Sequence, residues 1–254
     1  MGLKEKQVNI VGTGYEGIML FFAEILCCAG KKILLLDHTK EHSMKEYFPR
    51  VEGLDPAENI VDYGGIGYAV VSDPKITIKQ GNSTSDHNIG DGDYDIYFKL
   101  FDLCGLCHEN ISILTLDKTA VQSVSEIKNY GSAEDNKPLT IYTTDEKAGN
   151  IAALEHAAPD PESILIINDY TGTIKRRIEN TAYELGIAKV YVMPLNVRDR
   201  KLEILAGYND RFKFTGLSRE RKEVLTELAG LIIPELSEKE IRKAYRIAER
   251  GGRK

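Results

Sequence analysis

The chain has 254 residues and a mass of 28.4 kDa, which corresponds to one large domain or two small ones. Its 42% hydrophobic and 28% charged residues are typical of a soluble globular protein and exclude a disordered chain, a collagen-like fibre and a coiled-coil rod. The net charge of −6 argues against a broad electrostatic nucleic-acid binder.

The cysteines and the N-terminal residues bear on the cellular compartment. The four cysteines are Cys27, Cys28, Cys104 and Cys107. They are too few for a disulfide scaffold at this length, so we expect reduced thiols. The opening MGLKEKQVNIVG has no signal-peptide core or cleavage site. The longest apolar stretch, residues 18–29, contains Glu24 and is too short to span a bilayer. We therefore expect a cytoplasmic protein.

The N-terminal part of the chain predicts a strand, a glycine loop, a helix and a second strand. Residues 7–11 are a short apolar run, and a glycine loop at residues 12–17 follows it. Residues 18–29 have the apolar pattern of a buried helix. The run KILLL at residues 32–36 predicts a buried strand that ends at Asp37.

Strands and helices continue to alternate after this start. Further strands are predicted at residues 94–101, 111–116, 139–143, 164–168 and 190–194. Helical patterns between them lie at residues 119–130 and 174–185. Such alternation predicts an α/β fold of three layers, a mostly parallel sheet with helices on both faces.

The other segments complete one α/β domain over residues 1–254. An antiparallel hairpin is predicted within residues 55–80, from IGYAVVS and KITIKQ. The polar, glycine-rich residues 81–93 predict a surface loop. From about residue 197 the chain is helical, with a break at Pro234.

The glycine loop is the strongest motif. It comprises Gly12, Thr13, Gly14, Tyr15, Glu16 and Gly17. Because it follows a strand and precedes a helix, its backbone N–H groups could hold an anion. As G-x-G-x-x-G it matches a dinucleotide-binding fingerprint, and Asp37, 20 residues beyond Gly17, could accept hydrogen bonds from a ribose. This pattern favours NAD(P) binding.

The same loop also fits the first part of a P-loop, G-x-x-x-x-G. A working P-loop continues with Lys and then Ser or Thr, which neutralise phosphate charge and bind magnesium. Ile18 and Met19 occupy those positions and cannot do this chemistry. A third interpretation is that the glycines only allow a tight turn between strand and helix.

The order of elements resembles the ParA/MinD family of deviant-Walker ATPases. The resemblance rests on LLLD ending at Asp37, on DYDIYFKLFD ending at Asp102 as the Walker-B and switch region, and on ISILTLDKTAVQSVSEIK. It also includes ILIIN, whose Asn168 matches the family's adenine contact, and YVMP, which ends at Pro194. The resemblance implies a P-loop NTPase-like fold with ATP or ADP as ligand.

The atypical CpaE/TadZ branch, which helps to localise secretion and pilus machinery, is the most similar in style. In the family motif the signature Lys falls at Thr13, the P-loop Lys at Ile18 and the hydroxyl at Met19. The resemblance therefore implies a nucleotide-binding protein or pseudo-ATPase with a degenerate P-loop and no assigned catalytic residue. It would act as a positioning or scaffold factor, as a homodimer with a protein partner.

The alternative is a Rossmann-type NAD(P)-binding oxidoreductase that uses GTGYEG and Asp37. It ranks second because no histidine follows His156 to transfer protons. The two folds differ in strand order. In the Rossmann order 3-2-1-4-5-6 the second strand lies beside the first. In the ParA/MinD fold a different strand occupies that place beside the first. A third hypothesis is a binding module with a vestigial nucleotide site.

The cysteines, the histidines, the arginine pair and the C-terminal residues have structural explanations. The thiols of the four cysteines could bind a metal only if the two pairs lie close together. His38 and His42 are interpreted as surface residues, and Arg198 and Arg200 as solvated charges. Residues 237–254, with seven basic and three acidic residues, predict a basic amphipathic helix that packs on the domain, with weak membrane contact as the alternative.

Overall fold

The computed structural model describes residues 6–48, 60–70, 94–102, 138–157, 159–206 and 214–251. Outside these ranges lie the predicted strand at 111–116, the predicted helix at 119–130, the predicted hairpin strand KITIKQ, the loop at 81–93, Cys104 and Cys107.

The described residues form strands and helices in alternation. The strands are β1 (Lys6–Gly12), β2 (Ile33–Asp37), β3 (Val61–Tyr63), β4 (Ile66–Val70), β5 (Ile96–Phe101), β6 (Leu139–Thr144), β7 (Ile164–Tyr170) and β8 (Lys189–Pro194). The helices are α1 (Glu16–Cys28), α2 (Ala148–Ala157), α3 (Lys175–Glu184), α4 (Val197–Ala206), α5 (Arg219–Ile232) and α6 (Glu238–Glu249). A short 3-10 helix spans Ser43–Tyr47.

The described strands form a sheet in the order β3-β4-β2-β5-β1-β6-β7-β8. All neighbours are parallel except β3 and β4. β1 therefore lies between β5 and β6, and β5 separates it from β2. The Rossmann order places the second strand beside the first, so this sheet does not have it. The predicted three-layer α/β fold with a mostly parallel sheet is confirmed.

Helices cover both faces of the sheet. The side chains of a strand point alternately to its two faces, so Ile164 and Ile166 pack with α1, α5 and α6, whereas Leu165 and Ile167 pack with α2 and α3. Helix α1 is buried along most of its length, because it lies between the sheet and the C-terminal helices. This explains why its sequence is apolar on nearly every side.

The strand that pairs antiparallel with β4 is not the predicted one, which followed β4 in the sequence. β4 pairs antiparallel with the preceding β3, and Gly64 and Gly65, both with positive φ, form the turn between them. On its other side β4 runs parallel to β2.

From Val197 onward the described residues include the helices α4, α5 and α6. A capping box between Ser237 and Glu240 starts α6. One face of α6 is buried, with Ile241, Ala244, Tyr245 and Ala248, and it joins the cluster that contains α1 and α5, whereas Ile247 is exposed. This face is thus used in packing on the domain. Among the described residues, no helix is both long and apolar enough to cross a bilayer.

Candidate functional site

The predicted site residues lie at one edge of the sheet. Parallel strands bring their carboxyl ends to the same edge, and the connections that leave β1, β2, β6 and β7 begin there. Gly12 through Gly17 connect β1 to α1, Asp37 ends β2, and Asn168 is near the end of β7.

The glycine loop is a tight turn. Only Thr13, Gly14 and Tyr15 lie between β1 and α1. Gly12 has φ +142°, and a Cβ at this position would overlap the carbonyl oxygen of Thr143 on β6. Thr13 N donates a hydrogen bond to that same oxygen at 3.2 Å. The first glycine is therefore required by close packing against β6.

Asn168 contacts the loop directly. Its Nδ2 donates to the carbonyl oxygen of Gly14 at 3.2 Å, so the structure joins two predicted site elements that are 154 residues apart. Asn168 Oδ1 and the neighbouring Thr143 Oγ1 are buried and have no hydrogen-bond partner in the described part of the chain. Buried polar atoms of this kind are ordinarily paired with protein, water or a ligand.

The third glycine of the motif makes room for a carboxylate. A Cβ at Gly17 would overlap Cγ, Cδ and Oε1 of Glu203 on α4, and Glu203 is buried. The Glu203 carboxylate thus lies at the first turn of α1, where a helix N-terminus attracts negative charge. The chain places its own anion beside the loop that was predicted to bind phosphate.

Two arginines hold Glu203 in place. Arg221 Nη1 donates to Glu203 Oε1, and Arg200 Nη1 donates to Glu203 Oε2 at 2.9 Å. Arg200 also pairs with Asp169 at the end of β7. The buried Asp199 accepts hydrogen bonds from the backbone N and the Oγ of Ser218, at 2.8 and 2.5 Å.

Glu16 adds a second carboxylate at the start of α1. It accepts a hydrogen bond from Ser43 Oγ at 2.7 Å. Burial raises the pKa of Tyr47, and the negative charges of Glu16 and Glu203 raise it further. The electrostatic environment of this end of the loop is therefore acidic, although Arg200 and Arg221 neutralise part of it.

Asp37 is enclosed by its own chain. It is fully buried, and its Oδ1 accepts from Thr39 N at 3.0 Å and Thr39 Oγ1 at 2.5 Å. Its Oδ2 accepts from the Tyr68 hydroxyl at 2.8 Å. Burial raises the pKa of Tyr15 and Tyr68, and the charge of Asp37 raises both further. A ribose contact by Asp37 stays a prediction, and it requires these bonds to be exchanged.

The other candidate metal ligands in the described part of the chain are Cys27, Cys28, His38 and His42. Cys27 is buried, and its Sγ lies 3.2 Å from the Gly65 carbonyl oxygen. His38 stacks on Phe101, with ring centroids 4.9 Å apart. His42 Nδ1 lies 3.7 Å from Asp37 Oδ1. The described residues contain no group of three or more Cys, His, Asp or Glu placed to hold a metal ion.

The sequence did not reveal the Glu203 network. Arg200, interpreted as a solvated charge, is half-exposed and paired on both sides. The available signals were the spacing of four between Asp199 and Glu203 and the glycine at position 17. Neither indicates which face of α4 is buried, or that Arg221 on a different helix supplies the counter-charge.

Comparisons with known proteins give similarities in structure and none in sequence. No protein-family model matches the chain, and no curated protein matches it. Among solved structures it is similar to the MinC:MinD cell division protein complex of Aquifex aeolicus, at 15% identity and a TM-score of 0.45, over 94% of this chain and 95% of that one. The fold assignment rests on the strand order of the sheet and not on this similarity.

Proposed function

We propose that this chain is a pseudo-ATPase of the ParA/MinD-like type that acts as a positioning or scaffold factor through a protein partner. Secretion or pilus assembly is the setting that the sequence resemblance suggests. One observation carries the proposal: the buried carboxylate of Glu203 lies against Gly17, the last glycine of the loop.

Charge supports the loss of nucleotide hydrolysis. Catalysis of phosphoryl transfer requires positive groups that neutralise the charge developing on the β- and γ-phosphates. At the corresponding positions Ile18 and Met19 are each 2% exposed and belong to the hydrophobic core. A triphosphate placed on this loop would approach Glu16 and Glu203 without a compensating lysine, which is unfavourable at short range.

A specific observation favours a second candidate function, nucleotide sensing without hydrolysis. Asn168 Oδ1 and Thr143 Oγ1 lack partners among the described residues and lie beside the glycine loop. An acceptor such as Asn168 Oδ1 suits the exocyclic amine of a base. In this proposal ATP or ADP binds weakly through Asn168, and its binding changes the loop without being followed by hydrolysis.

The NAD(P)-dependent oxidoreductase has less support. It requires Asp37 to face a ribose, whereas both of its oxygens accept hydrogen bonds from Thr39 and Tyr68. The sheet also does not have the Rossmann strand order.

A ligand panel tests these functions together. Thermal shift and calorimetry are run with ATP, ADP, GTP, NAD and NADP, with and without magnesium, beside an assay of phosphate release. A ligand that binds only the native state raises the melting temperature by mass action. The pseudo-ATPase proposal predicts no phosphate release above that of a reaction without the protein.

Each positive result has a distinct meaning. A melting-temperature rise with ATP or ADP that is lost in Asn168→Ala, without phosphate release, supports nucleotide sensing. Phosphate release that depends on magnesium and is lost in Asn168→Ala contradicts the pseudo-ATPase proposal. A rise with NAD that is lost in Asp37→Asn makes the oxidoreductase the leading function.

A further inference from the structure

Helix α4 buries two carboxylates and exposes aliphatic side chains, which is the inverse of what an ordinary surface helix does with these residue types. Its buried residues are Asp199, Glu203 and Ala206. Its exposed face carries Val197 and Ile204, which are 82% and 61% exposed. Surface helices of globular proteins normally turn apolar residues inward and charged residues outward. The inverted arrangement therefore needs a physical cause.

The cause of the inversion lies on the inner side. Glu203 is bound by Arg221 and Arg200, and Asp199 accepts two hydrogen bonds from Ser218. Removing one partner from such a buried ionic network is strongly destabilising. A half-turn rotation of α4 would break all of these contacts, so the network holds the aliphatic side chains on the outside.

The exposed side chains form a continuous stripe. Val197, Lys201, Ile204 and Leu205 follow the spacing i, i+4, i+7 and i+8, which is one face of a helix. Leu205 is 42% exposed, and Leu195, just before the helix, is 51% exposed. Contiguous exposed apolar residues with a polar rim mark interaction sites on proteins. We name Leu195, Val197, Ile204 and Leu205 the α4 stripe.

The exposed charged residues of α4 are all basic. Arg198, Arg200 and Lys201 are exposed, whereas Asp199 and Glu203 face inward. Arg200 is paired with Asp169 and Glu203, so Arg198 and Lys201 carry the surface charge. The helix thus presents a basic surface in a chain whose net charge is −6. A partner with apolar residues flanked by carboxylates complements both the shape and the charge of this surface.

We propose that the α4 stripe is the docking site for an acidic amphipathic helix of a protein partner. This rests on the proposed function, which requires a partner, and it names the surface and the chemistry of recognition. Helix-to-helix docking of apolar residues at i, i+3, i+4 and i+7 is a common recognition mode. Because the inner side of α4 contacts Gly17, the docking site lies on the opposite side of the same helix from the glycine loop.

Two other occupants fit less well. A second copy packed on a two-fold axis would place Lys201 near its symmetry equivalent, and like charges at close range are repulsive. A membrane surface would be contacted by four aliphatic side chains without an aromatic residue, a small apolar area for interfacial binding. The charge complementarity therefore favours an acidic protein segment.

The test uses a designed peptide as the probe. A fluorescein-labelled helix of about 18 residues, long enough to be helical in part, carries leucines on one face and glutamates on the other. Its binding to the full chain is measured by fluorescence anisotropy. We expect saturable binding that weakens at least tenfold in Ile204→Ser and in Lys201→Glu. Tyr183→Ser, which removes an 86% exposed side chain on α3, is the matched control and should leave the affinity within twofold.

Three results would overturn the docking proposal. The first is the absence of saturable peptide binding, or binding that Ile204→Ser leaves unchanged. The second is Ile204-dependent binding to vesicles of phosphatidylglycerol and phosphatidylcholine but not to the peptide. The third is a dimer that Ile204→Ser dissociates in sedimentation. Phosphate release by the wild-type chain would contradict the pseudo-ATPase proposal alone, so the two failures are distinguishable.

Discussion

The buried arginine of the Glu203 network offers the sharpest test of the site architecture. We predict that Arg221→Met strongly destabilises the protein. The side chain of Arg221 is 5% exposed, that of Glu203 6% and that of Asp199 2%. Without Arg221, Glu203 keeps only the half-exposed Arg200 as a cationic partner, and a buried carboxylate is left largely uncompensated.

The expected magnitude follows from this burial. Breaking a buried ion pair from one side costs about 3–5 kcal/mol. For a chain of this size each kcal/mol lowers the melting temperature by about 2–4 °C, so we expect a decrease of about 6–20 °C. Urea unfolding should show the same loss as a lower midpoint with an unchanged slope.

A double variant and a neighbouring arginine sharpen the test. Arg221→Met combined with Glu203→Leu should recover part of the lost stability, because the buried Glu203 carboxylate is removed, while Asp199 keeps its hydrogen bonds from Ser218. Arg219→Met removes an 85% exposed arginine that pairs with Glu223 on the same helix, and it should cost less than about 1 kcal/mol. If Arg221→Met costs no more than Arg219→Met, the reasoning about the buried network is wrong.

Three further predictions concern the loop and the strand ends. Gly12→Ala should cost several kcal/mol of stability in thermal unfolding, because its Cβ would overlap the Thr143 carbonyl oxygen. Gly149→Ala is the control, because a Cβ there has open space around it, and it should be neutral or stabilising. Equal effects of the two substitutions would refute the packing argument. Ile18→Lys should destabilise the fold and produce no phosphate release, because position 18 faces the core; a stable variant that releases phosphate would show that the loop can hold a triphosphate. Burial, aided by Lys99, lowers the pKa of His38 to about 4, so the unfolded chain binds a proton that the native state does not. The stability due to neutral His38 is therefore complete above about pH 6.5 and declines as the pH falls towards 4. The urea midpoint of His38→Gln should depend less on pH across this range than that of the wild type. An equal pH dependence of the two midpoints would contradict this assignment.

Much of the fold could be predicted from the sequence, because periodicity and glycine placement act locally. The run KILLL and the run ILIIN predict buried strands, and β2 and β7 form at those residues. The glycine loop follows β1 and precedes α1 as predicted. Since parallel strands share one carboxyl edge, the predicted site residues Gly14 and Asn168 are also close together.

The strand order was decided only in the tertiary structure. The sequence marks β1, β2 and β5 as strands, but local periodicity does not encode which strands are neighbours. The pairing of β1 with β5 instead of β2 separates this sheet from the Rossmann order. The same holds for Asp37, whose orientation towards Tyr68 depends on β4 lying beside β2.

The orientation of α4 also depends on distant residues. The usual rule would bury its aliphatic residues Val197, Ile204 and Leu205. The side with Asp199 and Glu203 is buried instead, because Arg221 and Ser218, brought close by α5, satisfy these two carboxylates. The sequence by itself therefore determined the elements and the position of the loop. Pairing between distant residues decided which strands are neighbours, which carboxylate closes the loop and which face of α4 is exposed to a partner.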